Sequence, residues 1–98
     1  MNNLAALLSS KGDYAAAEPL YRNALAIAEK AFGPNDLHTA TTLNNLAELL
    51  TAKGNYAAAA PLYRRALGIT EKTLGWNHPT TKRIRERLSE ASADHQKQ

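Results

Sequence analysis

Ninety-eight residues bound this chain to one modest domain, and a chain that short buries a smaller share of its surface than a large one. The absence of cysteine excludes disulfide staples and thiolate metal sites, and fits a reducing, cytoplasmic setting. A net charge of +3 does not by itself demand nucleic acid or a membrane surface, and neither an eighteen-residue apolar run nor a signal-peptide pattern is present.

Alanine and leucine are abundant and valine is absent, which favours helix over sheet. Sliding the chain by 42 positions aligns Asn2–Asn35 with Asn44–Asn77 at 23 identities in 34 positions, far above chance. The chain is therefore built from a repeated unit. Each unit reads as a hairpin of an inner and an outer helix.

The first inner helix is carried by Asn2-Asn3-Leu4-Ala5-Ala6-Leu7-Leu8 and lacks its opening half. Gly12 closes it, since glycine adopts the left-handed conformation that ends a helix, and Asp13 caps the next one. So short a connection forces the two helices antiparallel. The outer helix is expected over 14–31, with Ala17, Tyr21, Ala24, Leu25 and Ala28 as its packing stripe. Pro19 lies about six positions inside it, either as a tolerated kink or as a sign that the helix starts late, near Ala16.

Phe32-Gly33-Pro34-Asn35 links the units, and Asp36 caps the second inner helix. There Leu43, Leu46, Ala47 and Leu50 share one stripe at helical spacing. Thr41, Asn44, Asn45, Glu48 and Ala52 point roughly the other way. One face is suited to packing, and the other is too polar for a core. The second outer helix is expected over 56–73 after Gly54 and Asn55, with Ala59, Tyr63, Ala66, Leu67 and Thr70 as its stripe and Pro61 repeating the Pro19 question. The link 74–77 contains Trp76, expected to pack under the final helix.

The last helix is expected over 79–94, with Pro79 in its first turn and His95 to Gln98 fraying. Where the second unit has Leu43, Ala47 and Leu50, it has Arg85, Ser89 and Ser92, so only Ile84, Leu88 and Ala91 keep an apolar strip. A polar outer side is what a helical stack needs to end in water.

These residues resemble the tetratricopeptide repeat. Leu46-Ala47, Gly54, Tyr56, Ala59, Tyr63 and Ala66 stand at that family's signature positions, as do Leu4-Ala5, Gly12, Tyr14, Ala17, Tyr21 and Ala24. The 42-residue spacing, the Leu-Asn-Asn-Leu-Ala and Tyr-Arg-x-Ala-Leu motifs and the Gly-x-Asn-His-Pro-x-Thr link are similar to the kinesin light chain subclass. Asp36-Leu37 departs from the His-Pro of that link. The resemblance spans about residues 1–90. It implies an all-α, right-handed superhelical stack of about five helices, forming one domain over 1–98. Repeat 1 would take about 1–35, repeat 2 about 36–77, and a capping helix about 79–94. It also implies a cytoplasmic protein-binding module whose inner helices line a concave groove for a peptide. Asparagines at the Asn3 and Asn45 positions bond peptide backbone in such grooves. In the chaperone-binding branch, basic residues at the Arg83 and Arg87 positions hold a carboxylate together with the asparagine at Asn45. The first-helix partners would be Asn2 and Ala6, which leaves that clamp incomplete.

The candidate contact residues are thus Asn3, Thr41, Asn44, Asn45, Glu48, Arg83 and Arg87. Asparagine is a mediocre helix former, and its amide offers both donor and acceptor to an extended backbone. Bonding between adjacent units is the bland alternative. The run Lys82-Arg83-Ile84-Arg85-Glu86-Arg87 reads first as a solvated face, then as a carboxylate or acidic-peptide site. Nucleic acid comes last, because no aromatic residues interleave it. His38, His78 and His95 have no acidic or cysteine companions at ligand spacing, so no metal or other cofactor is expected. No nucleophile motif, phosphate loop or carboxylate pair suggests an enzyme. The competing expectation is structural, a homodimer built through open stack ends.

Overall fold

The computed structural model describes residues 12–97, and side chains as far as residue 92. Four helices follow one another: α1 (Tyr14–Phe32), α2 (Leu37–Ala52), α3 (Tyr56–Thr73) and α4 (Pro79–Lys97). The described residues contain no strand. The expected first inner helix falls on residues 1–11, outside the described residues, so four helices stand where about five were expected.

Helix boundaries follow from local chemistry. Asp13 and Asn55 each accept a bond from the backbone N–H three residues on, at 3.4 Å, and Asp36 Oδ1 accepts from His38 N at 2.8 Å. Those bonds satisfy N–H groups that the first helical turn leaves unpaired. The turn after α2 shows why glycine is needed. Gly54 has φ of +84°, Gly54 N donates to Thr51 O at 2.9 Å, and Asn55 N donates to Leu50 O at 2.8 Å. This pair of bonds closes the helix C-terminus and turns the chain straight into the cap of α3.

Both outer helices start at their tyrosine and run on through Pro19 and Pro61. The late start at Ala16 or Ala58 does not occur. Proline there removes one backbone bond within the second turn, where its ring points to solvent. At the far end, α4 runs to Lys97, three residues past the expected Asp94, so residues 95–97 are helical where fraying was expected.

The core forms where the period placed it. Leu43, Leu46, Ala47 and Leu50 are at most 1 % exposed, and Ala17, Tyr21, Ala59, Tyr63, Ala66, Ile69, Ile84 and Ala91 join them in one cluster. Many of these are alanines, so helices approach closely and their backbones lie near one another. The most extensive packing is between α2 and α3, followed by α3 with α4 and α1 with α2. Between α1 and the end of α2, Lys53 in the α2–α3 turn pairs with Glu18 on α1, which also takes the Arg22 guanidinium at 2.9 Å.

Trp76 departs from expectation. Its ring is 60 % exposed and does not sit under α4. Instead Arg85 reaches back from α4, its guanidinium 3.7 Å from the ring centroid, and donates to Trp76 O at 3.0 Å. Glu71 stands 3.7 Å from the same guanidinium. The reason is the substitution itself: an arginine at the Leu43 register cannot be buried without a partner, so it folds over the link's indole.

Candidate functional site

The face of α2 turned from the core carries Thr41, Asn44, Asn45 and Glu48. Thr41 is exposed and the other three are half-buried. Thr41 spends its one hydroxyl proton on Leu37 O at 3.1 Å, so towards a partner it can act only as an acceptor. The Asn45 side-chain amide makes no hydrogen bond among the described residues, and Asn44 Oδ1 is shielded from solvent with no partner. An acceptor in that state costs about 1–3 kcal/mol relative to a satisfied one. Asn3 lies outside the described residues.

Glu48 is the electrostatic hub of this face. Burial first, then the Glu48 carboxylate, pushes the Tyr21 phenol above its ordinary range. Tyr63 is raised too, chiefly by burial. The Thr51 hydroxyl, 3.4 Å from its oxygen, acts the other way. Glu48 and Glu90 raise Tyr63 further, and Arg87 lowers it. Charges on α2 and α4 thus act on the one phenol of α3, which the Thr51 hydroxyl also meets. Arg87 and Arg83 are both exposed, and Arg83 makes no ion pair among the described residues.

The basic run does not stay together on α4. Ile84 turns into the core, Arg85 turns to Trp76 and Glu71, and Arg83 and Arg87 stay exposed. Helical geometry thus splits a sequence cluster that looked continuous, which leaves no single basic stripe for a phosphate backbone. The tyrosines were legible only as packing residues. Their hydroxyls reach the polar face because tyrosine carries an apolar ring with a polar tip.

Two clefts are also present, the first of which shares Thr41 with this face. One of about 330 Å³ runs between α1 and α2 and is lined mostly by apolar and small residues, among them Ala24, Ile27, Ala28 and Phe32. Phe32 stacks on His38 at 4.2 Å, and His38 Nδ1 lies 2.9 Å from Asp36. The other, of about 270 Å³, lies between Pro34-Asn35 and α3 and is lined by Arg64, Arg65, Gly68 and Lys72. Arg65 there is paired with Glu29 at 2.9 Å. His78 Nδ1 accepts from Thr80 N at 3.1 Å and so serves as a cap. No group of three or more His, Cys, Asp or Glu side chains that could hold a metal assembles among the described residues. No described helix is long and apolar enough to cross a membrane.

A comparison with curated protein sequences finds no significant match. The tetratricopeptide repeat family model matches residues 1–72, which takes in α1, α2 and nearly all of α3 and stops short of α4. With small residues at Ala17, Ala59 and Ala66 where helices meet, tyrosines at both signature positions and most of the chain matched, this protein belongs to the tetratricopeptide repeat family.

Proposed function

We propose that the chain is a non-catalytic protein-binding module that takes an extended peptide or partner segment along the face of its inner helices, α2 and α4. Tetratricopeptide repeats are in general protein–protein interaction modules, and the proposal here is which face acts and with what chemistry. Asn45 carries the reading. It sits half-buried on the polar face of α2 with an amide that bonds to nothing among the described residues, while the helix around it is well satisfied. Amides so placed can meet both the N–H and the C=O of an extended chain. Thr41 adds an acceptor, and Glu48 sets a negative charge on the same face.

Arg83 and Arg87 on α4 give the same face its positive side and favour an acidic segment or a C-terminal carboxylate. In this reading the stack is a right-handed superhelix of the 42-residue, kinesin light chain-like kind and works in the cytoplasm. The units run over about 1–35 and 36–77, and α4 acts as their polar cap.

Anisotropy titration with acidic peptides, each made with a free and an amidated C-terminus, tests this. Asn45→Ala and Arg87→Ala should each weaken binding about tenfold or more, as loss of a hydrogen bond to a charged or backbone group does. Unchanged affinity in both variants overturns the assignment of the face. A second reading, self-association, draws on Ile27 and Phe32, which are 52 % and 51 % exposed. Light scattering separates the two, because a monomer at all concentrations rules self-association out.

A further inference from the structure

We infer that the cleft between the α1–α2 link and α3 binds a phosphate monoester, carried by a small molecule or by a lipid headgroup. The inference is independent of the peptide-binding face. It rests on three side-chain differences between the two repeat units, all of which act on this one cleft.

The cleft has about 270 Å³ of space and lies against one face of α3. Arg64, Gly68 and Lys72 follow at intervals of four residues, so they line up there, with Gly68 about 6 Å along the axis from each. Arg65 stands beside them. The equivalent helix of the first unit, α1, has Arg22, Asn23, Ala26 and Lys30 at the same positions. There Arg22 is held by Glu18 at 2.9 Å. The counterpart of Glu18 is Ala60, and Arg64 makes no ion pair among the described residues. Asn23 gives way to Arg65, a further cation, and Ala26 gives way to Gly68.

Gly68 is the telling residue. Glycine in mid-helix is less stable than alanine, so the exchange has a cost. Neither backbone nor packing calls for it: its φ is not positive, and a Cβ built there meets nothing within 4 Å. What the missing side chain leaves is room between Arg64 and Lys72. Arg65 Nη2 donates to Glu29 Oε2 at 2.9 Å, which compensates one of the three charges. Arg64 and Lys72 stay exposed, and Lys72 too makes no ion pair among the described residues. Glu71, next in sequence, is turned to Arg85. Two uncompensated cations match a phosphate monoester, which carries about −1.5 to −2 at pH 7 and presents three oxygens, better than a single carboxylate. Pro34 and Ile69 supply apolar wall for the organic part. The volume falls just under the usual ~300–1,000 Å³ of small-molecule sites, so the ester must be a small one.

The test has two arms on the full chain at low salt. Glycerol phosphate is titrated and followed by amide chemical shifts, with glycerol as control. Phosphatidylcholine vesicles with and without phosphatidic acid are assayed by co-sedimentation. Saturable binding is expected, with shifts centred on residues 64–72 and on Asn35. Binding of the soluble ester makes a free phosphorylated molecule the ligand, and binding confined to phosphatidic acid vesicles makes it a headgroup. Arg64→Ala and Lys72→Ala should each weaken binding about tenfold or more, as loss of a charge-assisted hydrogen bond does. Gly68→Leu, which fills the floor and leaves the net charge unchanged, should weaken it as much, and circular dichroism checks that the variants fold. No saturable binding in either arm, binding indifferent to Gly68→Leu, or shifts centred on Arg83 and Arg87 instead each overturns the inference.

Discussion

Leu43 shows how much a single side chain carries here. It is fully buried in a cluster that is otherwise rich in alanine, so few neighbours can move in to fill the gap if it is cut back. Leu43→Ala should cost about 2–5 kcal/mol in urea denaturation, a large share of the ~5–15 kcal/mol that holds a domain of this size. Gly68 is the opposite case. It lies in mid-helix where its counterpart is Ala26, and a Cβ built there meets nothing within 4 Å. Gly68→Ala should therefore stabilise by about 0.5–1 kcal/mol, through backbone entropy alone. The phenols of Tyr21 and Tyr63 predict a pH effect. Both are raised in the folded state, so the unfolded chain loses those protons first. The stability they contribute is complete below about pH 10, the ordinary tyrosine value, and is lost as pH climbs through the folded values. Alkaline unfolding monitored by circular dichroism should begin there, and Tyr63→Phe should make the profile shallower. An unchanged profile would mean that the buried phenol is not what titrates.

At the scale of the element, the helices were the most legible part of the sequence. Caps at Asp13, Asp36 and Asn55 and the glycine at Gly54 mark their ends within a residue or so, because each is a backbone requirement that only a few side chains meet. What the sequence hides is where a long side chain goes once its helix is set down. Arg85 read as one more charge on a polar outer side. It instead covers the Trp76 indole, and the tryptophan stays mostly exposed. Helical period fixes where Cβ points and says nothing of a side chain that can reach back nine residues. Arg85→Ala should shift the emission of Trp76, the single tryptophan, to the red and cost about 0.5–1 kcal/mol. The Glu18–Lys53 pair works between elements. Lys53 foremost, then Arg22, holds the Glu18 carboxyl below its ordinary range. Its contribution is present above the unfolded carboxyl value and is lost as pH falls through the lower folded one.

For the molecule as a whole, the sequence shows the polar face but not its chemistry. Spacing alone put Asn44, Asn45 and Glu48 opposite the core. It could not show that Glu48, Arg87 and Glu90 all act on the Tyr63 phenol, because that needs three helices at fixed relative positions. The same linear order has a consequence for dynamics. Packing is mainly between consecutive helices, with α2 and α3 sharing the most extensive contact and α4 resting on α3 alone among its extensive partners. In such a chain each helix is as stable as its own sequence and its neighbour contacts make it. The central pair has neighbours on both sides, whereas α4 has an apolar strip reduced to Ile84, Leu88 and Ala91. Native-state hydrogen exchange should therefore find the slowest amides in α2 and α3, with α4 opening at lower free energy and without global unfolding. Adding a tight ligand on the α2–α4 face would raise the protection of α4 towards that of α3, since binding couples the cap to the helix it faces. If α4 exchanged as slowly as α2 in the free protein, the description of a cap held by one neighbour would be wrong.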